Sequence, residues 1–321
     1  MVELEKVLKS LKVGKSRDPE NYICDIFKEG VIGTDLKLTL LMMFNKMKDE
    51  GQIPEALRTA NITSLHKKNN KLDLNNWRGI FVTSVLRTIL MKIIHERAYE
   101  IVASTMTDSQ IGARKGKSVR NHIFVLNSII IDVMSSVKKV HIDLNIMDFS
   151  QMFDSEELFV TLNSLYEAGI TSDILPVIYE ANKMNYIAVK TPGGLTERKS
   201  ISNKIMQGDV LGPLVSSNMV DKYVGERAME TGQIYMYKNR VKIPPLVMQD
   251  DILSISECGF KSRKMNQFLN TQTKLTNLQF GSDKCEHMHI GKKINQDICS
   301  SHSVEAWKSV LVKSGNNKKR A

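Results

Sequence analysis

Apolar residues recur at helical spacing through the first part of the chain and at alternating spacing after it. Over residues 34–49, Leu36, Leu40, Met43, Phe44 and Met47 predict a helix that Gly51 and Pro54 close. Residues 61–66 read as a short strand entering a polar, basic loop at 67–76. A second long helical pattern covers 82–102, with Leu86, Ile89, Leu90, Ile93 and Ile94 on one side. Residues 107–119 are loop-like and rich in Gly, Lys and Arg, and the helical pattern resumes over 119–134.

The character changes near Lys138. Val140, Ile142, Leu144 and Ile146 alternate with polar residues, so a strand runs into Met147 and Asp148. Ser155, backed by Glu156 and Glu157, reads as the capped start of a helix whose apolar face is Leu158, Leu162 and Leu165 and whose end is Gly169. A further helix over 172–183 precedes strand-like segments at 186–190 and 199–206. The turn at Gln207, Gly208 and Asp209 opens a helix over 210–229. Strand-like runs follow at 234–237 and 247–255, the second interrupted by Asp250 and Asp251, then a helix at 260–278 and a strand at 285–290. Strands mixed with helices, with hairpin-like returns, predict an α+β fold rather than a strict βαβ series.

Composition narrows the classes. The 321 residues are 42% hydrophobic, enough for a core, which excludes a disordered or collagen-like chain. No apolar run approaches the roughly 18–20 residues of a membrane span. The charged N-terminus has no apolar signal core, so an intracellular protein is expected, nuclear or cytoplasmic. Four cysteines without CxxC spacing fit reduced thiols. Lys and Arg number 45 against 35 Asp and Glu, a net charge of +10, and this points to a polyanionic partner, nucleic acid first.

The informative residues are acids where strands should be buried. Asp148 ends an alternating strand, and Asp250 and Asp251 sit inside an apolar run. A buried carboxylate costs several kcal/mol unless it is paired or binds a metal. Adjacent acids raise each other's pKa, and a divalent cation relieves both problems. A hairpin turn at Asp250–Asp251 and a helix cap at Asp148 are the structural alternatives.

The order of the motifs carries a resemblance. MDFSQMFD (147–154), IMQGDVLGPL (205–214), MQDD (248–251) and LQFGSDKC (278–285) resemble, in order, the four palm motifs of reverse transcriptases. NNWRGIF (75–81) resembles their Arg-bearing fingers motif. QIGARKGKS (110–118) and LKVGKSRDPE (11–20) resemble motifs of the non-LTR, LINE-type group.

The resemblance implies a right-hand polymerase of fingers and palm. An N-terminal extension and fingers would occupy 1–137, a palm whose antiparallel sheet packs on helices 138–291, and a polar basic segment 292–321. Too few residues follow Gly291 for a full thumb. The activity implied is RNA-directed DNA polymerisation on an RNA template from a DNA primer with deoxynucleoside triphosphates. Asp148, Asp250 and Asp251 would hold two Mg²⁺ ions, with Mn²⁺ as a substitute, and Asp250 is the better direct ligand if neighbours on a strand face opposite ways. Lys284 would protonate the pyrophosphate. Arg78 would grip the triphosphate beside Lys67 or Lys68, Phe153 would exclude a 2′-hydroxyl, and Gln207 and Gly208 would form a turn against the nucleotide. Gln110, Arg114, Lys115 and Lys117 would line a template track.

The chain departs from the family pattern at Met248 and Gln249, where an aromatic residue and Ala are usual, and at Gly79, Ala113, Met152 and Gly212. These departures open the alternative of a non-catalytic RNA-binding remnant; an RNA-dependent RNA polymerase and a maturase relative are further readings. Cys285, His287 and His289 share one strand face and, with Cys299 and His302, form a zinc reading of the C-terminal part.

Overall fold

The computed structural model describes residues 1–67, 70–137, 140–171 and 173–291. Lys68, Cys299, His302 and the expected segment 292–321 lie outside the described residues. Helices α1 (Val2–Lys9) and α2 (Thr34–Glu50) lead to strands β1 (Thr59–His66) and β2 (Trp77–Thr83), then helices α3 (Val85–Thr105) and α4 (Val119–Ser135). Strand β3 (His141–Asp148) precedes α5 (Met152–Ser155), α6 (Leu158–Glu167) and α7 (Leu175–Asn182). After β4 (Met184–Thr191), β5 (Gly194–Leu195) and β6 (Lys199–Ser202), helix α8 (Gly212–Val220) continues into a π-helical stretch, Asp221–Glu226. Strands β7 (Tyr235–Tyr237), β8 (Val241–Ile243), β9 (Leu246–Met248) and β10 (Asp251–Ser256) follow, then α9 (Gly259–Thr276) and β11 (Glu286–Gly291).

The chain divides into two compact units, each assembled from separate stretches of sequence. The first is Met1–Ser104 with Glu157–Val215; the second is Thr105–Glu156 with the described residues from Ser216 onward. Neither unit is a single run of chain, so the linear boundary expected at residue 137 does not coincide with this division.

In the first unit β1 pairs antiparallel with β2 and parallel with β4, and β4 pairs with β5 and β6. Helices α1, α2, α3 and α7 meet where Leu4, Phe44, Leu90, Ile94 and Val177 line a small cavity. In the second unit an antiparallel sheet runs β11-β3-β10-β9, and β7 pairs with β8. One face of this sheet buries Ile142, Leu144 and Ile255 against Ile129 and Val133 of α4. Each such side chain contributes roughly 1.5–3 kcal/mol on burial. The other face sets the buried Met147 and Ile252 beside polar residues: Asn145 Nδ2 donates to Ser254 Oγ and to Ser262 Oγ of α9.

Several boundaries differ from the sequence expectation. Val82 and Thr83 close β2 rather than opening α3. Ser155 ends α5 instead of capping α6, because Glu156 is buried and accepts a hydrogen bond from Ser216 Oγ at 2.6 Å. The helix expected over 210–229 loses its α character at Asp221, where the π-helical stretch begins. The interrupted run 247–255 is a hairpin, β9 and β10, whose two-residue turn is Gln249 and Asp250. Among the described residues no helix is long and apolar enough to cross a membrane.

Candidate active site

The apolar face of β3 runs out at its C-terminal end. Ile142 and Leu144 are buried, Ile146 is 39% exposed, and Asp148 comes next on the same face. The β3–β10 ladder pairs Ile146 with Leu253 and then Asp148 with Asp251. Directly paired residues on adjacent strands share a face, so the register sets Asp148 and Asp251 side by side. The sequence reading favours Asp250 as the direct ligand; the structure puts Asp250 in the hairpin turn and makes Asp251 the acid facing Asp148. Partial burial, followed by the charges of Asp250 and Asp148, pushes the Asp251 carboxyl above its ordinary range.

The 278–285 segment docks on the end of β3. Gly281 N–H donates to Asp148 O at 2.9 Å and Ser150 N–H to Gln279 O at 2.7 Å. The Phe149 and Phe280 rings stack at 4.8 Å. This docking delivers Lys284, whose Nζ lies 2.5 Å from Asp148 Oδ2. That hydrogen bond is the main reason the Lys284 ammonium holds its proton above the usual range. Asp148, Asp250, Asp251 and Lys284 thus belong to one locality of the second unit. Phe153 lies half-buried on α5, just past the same strand end.

Among the described residues no three His, Cys, Asp or Glu side chains are grouped so as to hold a metal ion as they stand. The donor chemistry at the hairpin nevertheless fits a hard divalent cation. All three acids offer carboxylate oxygens, and the Lys284 ammonium already occupies a cation's place on Asp148. The zinc reading is not supported in the same way: His287 Nε2 and His289 Nδ1 lie 3.4 and 2.9 Å from Asp143 Oδ1, as hydrogen-bond partners. Asp143 is held low by these two histidines in spite of its burial.

The expected template residues separate into two kinds. Gln110 is wholly buried. Its Oε1 accepts the N–H of Gly112 at 2.7 Å and that of Gln249 at 2.9 Å. The Arg114 side chain is 14% exposed and donates to the carbonyls of Thr107 and Gln110, so it braces its own loop. Lys115 and Lys117 are exposed, and Lys117 pairs with Asp108 at 3.0 Å.

The first unit gathers the remaining candidates. Arg78 is exposed on β2, and Lys67 is exposed just beyond β1, its N–H donating to Asn76 O at 2.8 Å. The turn at Gln207 and Gly208 packs on β2: Phe81 N–H donates to Gln207 O at 3.2 Å. Gly208 has φ +105°, and a Cβ there would sit 3.2 Å from Phe81 O, so this close approach requires glycine.

Sequence reasoning missed what Asp209 does. Arg87 Nε and one terminal nitrogen donate to Asp209 Oδ2 at 3.0 and 2.8 Å. The guanidinium also donates to Ala181 O and Asn182 Oδ1, while Leu211 N–H donates to Asp209 Oδ1. Both side chains are enclosed, at 1% and 3% exposure. The available signal was an arginine at a core position of α3, in register with the buried Leu90, Met91 and Ile94.

No protein-family model matches the chain, and no curated protein matches it in sequence. Among solved structures it is similar to the apo telomerase from Candida Tropicalis truncated from its C-terminal domain. The TM-score is 0.56 at 10% sequence identity, over 80% of this chain and 56% of that one. The chain therefore spans a little over half the length of that structure. At this identity the likeness shows the fold, which is α+β and polymerase-like.

Proposed function

We propose that the chain is an RNA-directed DNA polymerase of the non-LTR type, its second unit the palm and its first unit the fingers. The observation that carries this reading is the pairing of Asp148 with Asp251 across an antiparallel ladder, with Asp250 in the adjoining turn and Lys284 on Asp148. A polymerase-like fold and the ordered motifs support it.

The reaction joins the primer 3′-oxygen to the α-phosphorus of a deoxynucleoside triphosphate and breaks the bond to the β-phosphate, releasing pyrophosphate. Mg²⁺ held by Asp148, Asp250 and Asp251 would activate the attacking oxygen and offset charge on the leaving group. Lys284, kept protonated by Asp148, supplies a proton to the departing pyrophosphate. Arg78, exposed on the edge strand β2, and Lys67, exposed just beyond β1, bind the triphosphate. The Gly208 turn lets backbone approach the nucleotide closely, and Phe153 rejects the 2′-hydroxyl. Lys115 and Lys117 contact template phosphates.

Primer extension on poly-rA tests the assignment. Wild type is expected to extend with deoxythymidine triphosphate, and Asp250→Ala to lose at least about 10³-fold in rate. Salt-dependent RNA binding by wild type without extension would replace the reading with that of an RNA-binding remnant. Phe153→Val is expected to raise ribonucleotide use; an unchanged sugar preference removes Phe153 from the gate.

A further inference from the structure

The Asp250–Asp251 hairpin turns on a residue that is poorly suited to the turn. Gln249 sits at φ +58°, in the left-handed region, where glycine or asparagine is the usual occupant. A non-glycine residue stays there only when its surroundings hold it. Here the surroundings are one side chain. Gln110 Oε1 accepts the Gln249 N–H at 2.9 Å, and Gln110 Nε2 reaches back toward Gln249 O at 3.5 Å and Ser217 O at 3.4 Å. Two backbone N–H groups, of Gly112 and Gln249, converge on the same Gln110 atom, which identifies that atom as the amide oxygen.

The space around this fork is closed. A Cβ at Gly112 would stand 2.7 Å from both Gln249 Cγ and Gln249 N, and 2.8 Å from Gln110 Oε1. The Gln-x-Gly spacing of residues 110–112 thus has two parts: a side chain that grips the turn and a missing side chain that lets it do so. The loop that carries Gln110 is itself tied to the hairpin strand. Ile111 N–H donates to Val247 O at 3.0 Å, Val247 N–H donates to Ser109 O at 2.9 Å, and Ser109 Oγ donates to Pro245 O. At its root, Thr107 donates through N–H and Oγ1 to Asp221 at 2.8 and 2.6 Å. Asp221 opens the π-helical stretch, and Gly225 within it leaves room for that carboxylate: a Cβ there would lie 2.4 Å from Asp221 Oδ1.

We propose that Gln110 is a positioning residue: its side-chain amide locks the Gln249 peptide in the left-handed turn and thereby sets where Asp250 and Asp251 stand. Its catalytic consequence rests on the polymerase reading above; the structural lock does not. The template reading of Gln110 makes a different demand, that the side chain touch RNA, and the two are separable by experiment.

The experiment compares wild type, Gln110→Met and Gln110→Glu as full chains, in two measurements. Gln110→Met keeps the volume and loses the acceptor, whereas Gln110→Glu keeps the acceptor for both N–H groups. Hydrogen exchange at the Gln249 amide is expected to accelerate at least about tenfold in Gln110→Met and to stay within about twofold in Gln110→Glu. Extension is expected to slow about 30- to 100-fold in Gln110→Met through kcat, with nucleotide KM and RNA affinity within about twofold, and to recover in large part in Gln110→Glu. Unchanged Gln249 exchange in Gln110→Met overturns the lock, and so does a loss of RNA affinity at unchanged kcat. If wild type does not extend primers at all, the polymerase reading fails, and the exchange comparison alone still decides the role of Gln110.

Discussion

Arg87 and Asp209 in the first unit, and Lys284 and Asp148 in the second, are both cation–carboxylate pairs within 3 Å. Arg87 and Asp209 are sealed from water, and further hydrogen bonds join them to Leu57, Ala181, Asn182 and Leu211. Lys284 is 53% exposed and Asp148 21%, at the open end of a strand. The enclosed pair has no exposed polar surface left to offer a ligand, so its work is to hold the Gly208 turn against helix α3. The open pair can be separated at little cost, since water is at hand to solvate both halves, and a group that must exchange partners during a reaction needs that freedom.

Mutation can break this contrast. Asp209→Ala strands a buried guanidinium and is expected to cost roughly 3–5 kcal/mol in urea unfolding, whereas Asp148→Ala should change stability by less than about 1 kcal/mol. Equal costs at the two sites would erase the distinction.

A third acid sharpens it from another side. Asp221 is fully buried and accepts two hydrogen bonds from Thr107, and burial pushes its carboxyl up to about 6. In the unfolded chain the same carboxyl ionises near the ordinary aspartate value of 3.8. Between those values the folded state holds the extra proton, so stability falls as pH rises through the window, by about 3 kcal/mol in all. Urea melts from pH 4 to 7 should show this slope in wild type and lose it in Asp221→Asn; parallel curves would refute it.

The smallest effect on stability belongs to Lys284→Met, expected within about 0.5–1 kcal/mol of wild type. Its extension rate should nonetheless fall by about 10²-fold or more if Lys284 supplies the proton. A variant that is both stable and fully active would leave the open pair without a chemical role.

Much of this arrangement was legible in the sequence wherever local pattern and tertiary demand agree. The α2 and α4 periodicities and the β3 alternation matched the observed elements to within a residue or two, because α2 and α4 bury one helical face and β3 sets Ile142 and Leu144 together against α4. The acids stood out because carboxylates inside apolar runs need a reason. What was not legible depended on partners distant in sequence. Ser155 has the composition of a helix cap, but Glu156 is claimed by Ser216, and the helix starts later. That Asp251 and not Asp250 pairs with Asp148 depends on the ladder register, which the sequence does not display. Gln110 lies 139 residues from the turn it grips, and only the fold reveals that its amide faces the Gln249 peptide.

The pairing register of β3 with β10 has a consequence for how such a chain can drift. Side chains alternate strictly along a strand, so the meeting of Asp148 and Asp251 depends on the count of residues between ladder and turn, not on what most of those residues are. Substitution along the hairpin leaves that count intact. A single inserted or deleted codon inside β10 would send one carboxylate to the opposite face. The facing of the two carboxylates is thus sensitive to length and insensitive to most substitutions around it.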